Sequence, residues 1–240
     1  MTTLIRPLLL ILSLTLATYA EEKSGHLFIL SGQSNMTGQL KKGFLETVSK
    51  SLGKENVTVV HCSRSGRGIR FWVSDYSLPE GHPFHGKLKA GNGEEFPRLV
   101  KAIKAEGDAS KYTSVHFIWM QGESDANRDL GVAYERSFKT LVSQLKKELG
   151  IKQMHFVIGR LSNWGLYRDK HADAWKRMRA VQQKLADDDP MGAWIDTDDL
   201  IGGDKSNPPG DLHYRGEQSV TLGTRFAKAA LKQLASKPGN

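Results

Sequence analysis

The sequence predicts an α/β protein in which one five-stranded parallel sheet lies between two layers of helices. Two observations predict it. Five short runs rich in apolar and β-branched residues recur along the chain: His26 to Leu30, Val57 to His61, Val115 to Met120, Met154 to Ile158, and Ala193 to Ile195. Such runs, with little polar alternation, suit strands buried on both faces, as parallel strands are. Between them lie segments long enough to hold a helix, and strand–helix repeats of this kind close by right-handed crossovers onto both faces of a sheet.

Each element can be justified in turn. The first run passes through Ser31-Gly32-Gln33-Ser34-Asn35-Met36-Thr37-Gly38 into a helix. After the second, Phe96, Leu99, Val100 and Ile103 make a single apolar stripe at helical spacing. Tyr134, Phe138, Leu141, Val142, Leu145 and Leu149 repeat the pattern after the third run, and Trp175, Met178, Val181 and Leu185 after the fourth. Leu222, Phe226, Ala229, Ala230 and Leu234 form the last stripe. Two long stretches break the rhythm. Val73 to Glu95 holds Pro79, Pro83, Gly81, Gly86, Gly91 and Gly93, and Ile201 to Gly210 holds Gly202-Gly203 and Pro208-Pro209. Loops of that length usually carry function. No internal repeat or interdomain linker interrupts the chain.

The first 20 of the 240 residues read as an export signal: Arg6, an apolar run from Leu8 to Ala17, then Thr18-Tyr19-Ala20. A spanning helix needs roughly 20 apolar residues, so cleavage after Ala20 is expected rather than anchoring. The expectation is a secreted or periplasmic protein of one domain, residues 21–240, with no membrane anchor in its mature form. Cys62 is the only cysteine, which rules out an internal disulfide and suits a small buried strand residue. The net charge of +8 would fit a nucleic-acid partner, but the basic residues are interleaved with acids along helix faces, as on a solvated surface. No nucleic-acid partner is expected. Neither is a metal or other cofactor, because no ligand cluster stands at a recognisable spacing.

In an open parallel sheet, chemistry gathers at the carboxyl ends of the strands. Ser34 follows the first strand in a polar turn, where its hydroxyl can stand exposed beside backbone N–H groups of the helix start. It can equally serve as the helix cap. After the second strand, Ser63-Arg64-Ser65-Gly66-Arg67-Gly68-Ile69-Arg70-Phe71-Trp72 offers the Gly66 N–H as a second donor to an oxyanion, but lacks the glycine pattern of a phosphate loop. After the third, Gln121-Gly122-Glu123-Ser124-Asp125 brings an amide able to donate and a carboxylate, Glu123, expected to be hydrogen-bonded and to hold loops in place. Before the last helix stands Asp211-Leu212-His213, a histidine suited to take a proton at neutral pH, with an acid beside it. Arg64, Arg67 and Arg70, with Trp72 beside them, are candidates for gripping an anionic ligand; pairing with nearby acids is the alternative.

Taken together, Gly32-Gln33-Ser34-Asn35-Met36, Gln121-Gly122-Glu123-Ser124-Asp125 and Asp211-Leu212-His213 resemble the sialate O-acetylesterase and acetylxylan esterase group of carbohydrate esterases, within the Ser-Gly-Asn-His hydrolases. Ile195-Asp196-Thr197-Asp198-Asp199-Leu200 is similar as well. The resemblance covers nearly the whole of residues 21–240. It implies a flavodoxin-like three-layer sandwich, Ser34 as nucleophile and His213 as base. It also implies oxyanion donors at Ser34, Gly66 and Gln121, with Gly68 as the alternative second donor, and Asn35 and Glu123 in support. The implied substrate is an acetylated oligo- or polysaccharide, so the ligand of Arg64, Arg67 and Arg70 would be an anionic glycan, with Trp72 as a sugar-stacking face. One departure concerns the acid: many relatives place it three residues before the histidine, where this chain has Gly210. Asp211 is the first choice, and Asp204 and Asp199 are alternates. A glycan-binding protein without turnover, and an esterase acting on a lipid or thioester, are the rival readings.

Overall fold

The computed structural model describes residues 24–203 and 209–236. The export-signal segment and Asp204 lie outside these residues. The five expected runs are strands β1 (His26–Gly32), β2 (Val57–Ser63), β3 (Ser114–Met120), β4 (His155–Gly159) and β5 (Gly192–Ile195). All are parallel, in the order β2-β1-β3-β4-β5. That is the flavodoxin-like order, in which the direction of winding reverses between β1 and β3. The register aligns Gly32 with Ser63 on one side and with Met120 on the other, so three strands end level at the reversal point.

Helices α1 (Gly38–Leu52), α2 (Phe96–Lys104), α4 (Tyr134–Glu148), α5 (Ala172–Asp187) and α7 (Glu217–Ala235) cover the sheet, with the one-turn helices α3 (Glu123–Ala126) and α6 (Asp198–Ile201) at strand exits. α1 and α7 form one layer: Phe44 of α1 meets Phe28 of β1 edge-on at 5.3 Å, and Gln233 of α7 donates to Phe156 O at 3.1 Å. α2, α4 and α5 form the other. There Phe138 packs on Phe117 and Phe156, and Lys104 of α2 pairs with Glu148 of α4. Among the described residues no helix is long and apolar enough to cross a membrane. Cys62 is free and buried, as its place on a strand suggested.

Two close approaches shape the site. A Cβ on Gly32 (φ 139°) would stand 2.0 Å from Met120 O, so only glycine lets β1 exit against β3. α1 and α7 touch backbone to backbone, since a Cβ on Gly43 would lie 2.2 Å from Val220 O and one on Gly223 2.0 Å from Leu40 O. α1 follows Ser34 in the chain and α7 follows His213, so this contact brings two distant sequence segments to one rim.

Candidate active site

The exit from β1 is a turn. Gln33 N–H donates to Met120 O at 2.9 Å, and Met36 N–H donates back to Gln33 O at 2.9 Å. Ser34 is the second residue of that turn and is half-buried. The cap of α1 is Thr37, whose hydroxyl accepts from Leu40 N–H at 3.1 Å, so Ser34 is free of that duty. The N–H groups beside Ser34 accordingly belong to the turn rather than to the helix start.

Ser34 Oγ lies 3.1 Å from His213 Nε2, and His213 Nδ1 lies 2.8 Å from Asp211 Oδ1. With Nδ1–H donating to the carboxylate, Nε2 is left as the acceptor for the serine hydroxyl. Asp211 Oδ1 also accepts from His213 N–H at 3.0 Å, which closes a local turn and fixes the acid under its own histidine. Oδ2 accepts from Arg215 Nη2 at 2.6 Å and Nε at 3.2 Å. The Arg215 guanidinium, and after it the His213 backbone and ring, hold the Asp211 carboxyl well below the usual carboxylate range. Asp199, one alternate acid, is engaged elsewhere: it pairs with both terminal nitrogens of Arg225 on α7.

Asn35 sits behind this row. Its Nδ2 donates to Glu123 Oε1 at 2.6 Å and to Leu212 O at 3.1 Å, and its Oδ1 accepts from Tyr214 N–H at 3.2 Å. The residue next to Ser34 therefore grips the chain on both sides of His213. Glu123 is 3% exposed, its carboxyl pushed up by burial, so it is a hydrogen-bonded anchor for Asn35, as its sequence context suggested.

Among the described residues, the Ser34, Gly66 and Gly68 N–H groups donate to no protein acceptor. Two of them, those of Ser34 and Gly66, are the backbone donors that the sequence pointed to first. Gln121 is different. Its side chain is fully buried, and its Nε2 lies 2.5 Å from Asp125 Oδ2, 3.1 Å from Gln33 Oε1 and 3.2 Å from Arg67 O. Two protons already face three acceptors. The expectation that Gln121 donates directly to an oxyanion is corrected: its amide is committed to fastening three loops together.

The glycan-gripping set also needs correction. Trp72 is 0% exposed and packs edge-on against Trp119 at 5.1 Å, so it has no face to offer a sugar. Arg70 is 9% exposed and donates to Ala90 O at 2.6 Å and Asn92 Oδ1 at 2.8 Å, which anchors the long loop over residues 73–95. Arg67 pairs with Glu94 at 2.9 Å, and Arg64, Arg67 and Arg98 converge on the buried Glu95. Arg70 thus serves the fold of the loops, while Arg64 and Arg67 pair with acids, the alternative reading, and keep 59% and 33% of their side chains exposed. Asp125 escaped the sequence reading as a site residue: Gln121 lies before α3, across Gly122 at φ 144°, so no helical spacing announced that the two side chains meet.

The comparisons with known proteins now bear on this geometry. A family model described as carbohydrate esterase, sialic acid-specific acetylesterase, matches residues 39–232. The chain belongs to that family. The match includes Gln121, Glu123, Asp211 and His213, while Ser34 stands just upstream of it. No curated protein matches the sequence. Among solved structures, a carbohydrate acetylesterase from Xanthomonas citri is similar with a TM-score of 0.66 at 18% identity, over 88% of this chain and 56% of that one. A protein from Arabidopsis thaliana is similar with a TM-score of 0.62 at 18% identity, over 87% of this chain and 98% of that one. At such identity these likenesses speak for the fold, and the acetylesterase family assignment rests on the family model.

Proposed function

We propose that this carbohydrate esterase removes O-acetyl groups from glycans through an acetyl-enzyme on Ser34. The observation that carries the reading is the unbroken row from Ser34 Oγ through the His213 ring to Asp211, at 3.1 and 2.8 Å. In the first step His213 Nε2 takes the hydroxyl proton as Ser34 Oγ attacks the acetyl carbonyl carbon. The carbonyl π electrons move to oxygen, and the N–H groups of Ser34 and Gly66 receive the resulting oxyanion. Collapse breaks the bond to the sugar oxygen, which leaves with the proton from His213. Water, deprotonated by the same nitrogen, then attacks the acetyl-serine, and acetate departs as Ser34 recovers its proton. Asp211 stays ionised throughout, orienting the ring and offsetting the imidazolium charge. The chain carries no requirement for a cofactor in any of these steps.

The substrate class is an acetylated carbohydrate of the sialic acid or xylan type, and export with cleavage after Ala20 would bring the enzyme to it. Acetate release from acetylated sialic acids, xylan and pectin, with Ser34→Ala as the control, tests the reading. Release from at least one glycan that the variant abolishes is expected. Glycan binding without release, or release that persists in Ser34→Ala, would overturn it.

A further inference from the structure

Beneath the rim, α3 carries a carboxylate that the hydrolytic steps leave without a task. Asp125 is fully buried. Its Oδ2 accepts from Ile69 N–H at 2.9 Å and from Gln121 Nε2 at 2.5 Å. Ile69 opens the short 3-10 turn Ile69–Trp72, directly after the loop that carries Gly66. Gln121 Nε2 reaches on to Gln33 Oε1 and Arg67 O, and Gln33 Oε1 also faces the N–H groups of Gly122 and Ser124 at 3.5 and 3.3 Å. One carboxylate thus ties together the exits of β1, β2 and β3, the three strands that end level at the reversal point. The fit leaves no slack, because a Cβ on Gly68 would stand 3.0 Å from Asp125 Oδ1 and 3.2 Å from Oδ2.

A buried carboxylate is costly, and a neutral side chain would avoid the cost if only volume mattered. What the side chain offers is one oxygen, Oδ2, that accepts from two donors at once. An amide with its oxygen in that place keeps both bonds, whereas alanine removes them. Burial pushes Asp125 up to about 6, so it is mostly ionised at neutral pH; Arg70 and Arg128 favour the charge, while Tyr76, Tyr134 and Glu123 also face it.

We infer that Asp125 is a positioning residue for ester hydrolysis: through Ile69 N–H and the Gln121 amide it sets the 64–68 loop, and so holds the Gly66 N–H where the oxyanion forms. The inference rests on the Ser34–His213 reading. Donors to an oxyanion count only where they are held at the right place beforehand, and they act on the transition state more than on bound substrate. Displacing the loop should therefore lower kcat and spare KM.

The test measures p-nitrophenyl acetate turnover and amide hydrogen exchange in the wild type and in Asp125→Asn, Asp125→Ala, Gly68→Ala and the Gly68→Ala/Asp125→Ala pair. Asp125→Ala is expected to lower kcat about 10- to 100-fold with KM within about twofold, part of the loss seen when such a donor is removed outright, and Asp125→Asn to restore most of it. Exchange should quicken over residues 64–69 and stay unchanged in β1 and β3. Gly68→Ala should lower kcat in the wild type and do little once Asp125 is already alanine. Wild-type kcat in Asp125→Ala, exchange that quickens throughout the protein, or additive effects of the pair would overturn the inference. Should Asp125→Ala not fold, Gly68→Ala perturbs the same contact from the other side and decides alone. If the wild type does not turn over, or Ser34→Ala does, the esterase reading falls by itself. The exchange of residues 64–69 then still judges the ordering role, and exchange unchanged from wild type rejects it.

Discussion

The two ends of the sheet hold histidines in opposite circumstances. At the carboxyl end, His213 is half-exposed, has Asp211 on one nitrogen and meets Ser34 with the other. At the amino end, His26 Nδ1 and His116 Nε2 share the Ser114 hydroxyl at 2.8 and 2.9 Å, and His116 stacks on His155 with centroids 4.8 Å apart. Burial lowers all three there, His116 to about 3. The same side chain bridges an acid and a hydroxyl beside an opening at one end, and packs as a neutral piece against a hydroxyl and another ring at the other.

The strongest way to break this contrast is to strip the upper end. Ser34→Ala and His213→Ala should each cost about 10⁴-fold or more in kcat on an acetyl ester; residual activity near wild type in either would dissolve the difference between the two ends. Asp211→Asn comes next, with a loss of about 10²- to 10⁴-fold, because the ring loses the partner that sets its tautomer. Asp199→Asn, which cuts only the Arg225 pair, should stay within about twofold by the same general rule for surface changes, and a larger loss would shift the acid's role to it. Asn35→Ala frees both sides of the His213 turn and should reduce kcat about 10- to 100-fold, as small misplacements of a catalytic group do; steady-state kinetics alongside a thermal melt separates this from unfolding.

The smallest effect lies at the lower end and shows in stability rather than turnover. His116 binds its proton only near pH 3 in the folded chain but at its ordinary 6.5 when unfolded. Between those values the unfolded state holds more protons, so the stability His116 leaves intact above pH 6.5 is lost as the pH falls. Asp125, raised to about 6, has the opposite sign between 6 and 3.8, so the informative quantity is the difference between His116→Gln and wild type at each pH. That difference should favour the variant increasingly from pH 6.5 toward 4, with kcat at pH 7 unchanged. A difference that ignores pH would show that His116 is not kept neutral.

Much of this was legible in the sequence, and the exceptions share a cause. The strands announced themselves because β1, β3 and β4, buried almost throughout, leave apolar runs too short for a helix, and the partly exposed β2 and β5 still hold β-branched or aromatic residues. The contact between Asp211 and His213 was readable because both residues and the turn joining them sit within three positions. Trp72 and Arg70 were misread because their directions depend on distant partners: a 3-10 turn drives the indole into Trp119, and the guanidinium follows Ala90 and Asn92 of a loop that folds back. Gln121 was seen as a donor, but which acceptors would claim its two protons depended on where Gln33, Arg67 and Asp125 came to rest. Local chemistry can be read from neighbours in the chain, whereas side-chain allegiance is settled by neighbours in space.

The seam between α1 and α7, where Gly43 meets the Val220 backbone and Gly223 the Leu40 backbone, has an implication for the rim above it. Because the segments that carry Ser34 and His213 meet there through main chain, their spacing does not hang on an exposed side chain. The surface of the long stretch over 73–95 can then change while Ser34 and His213 keep their alignment.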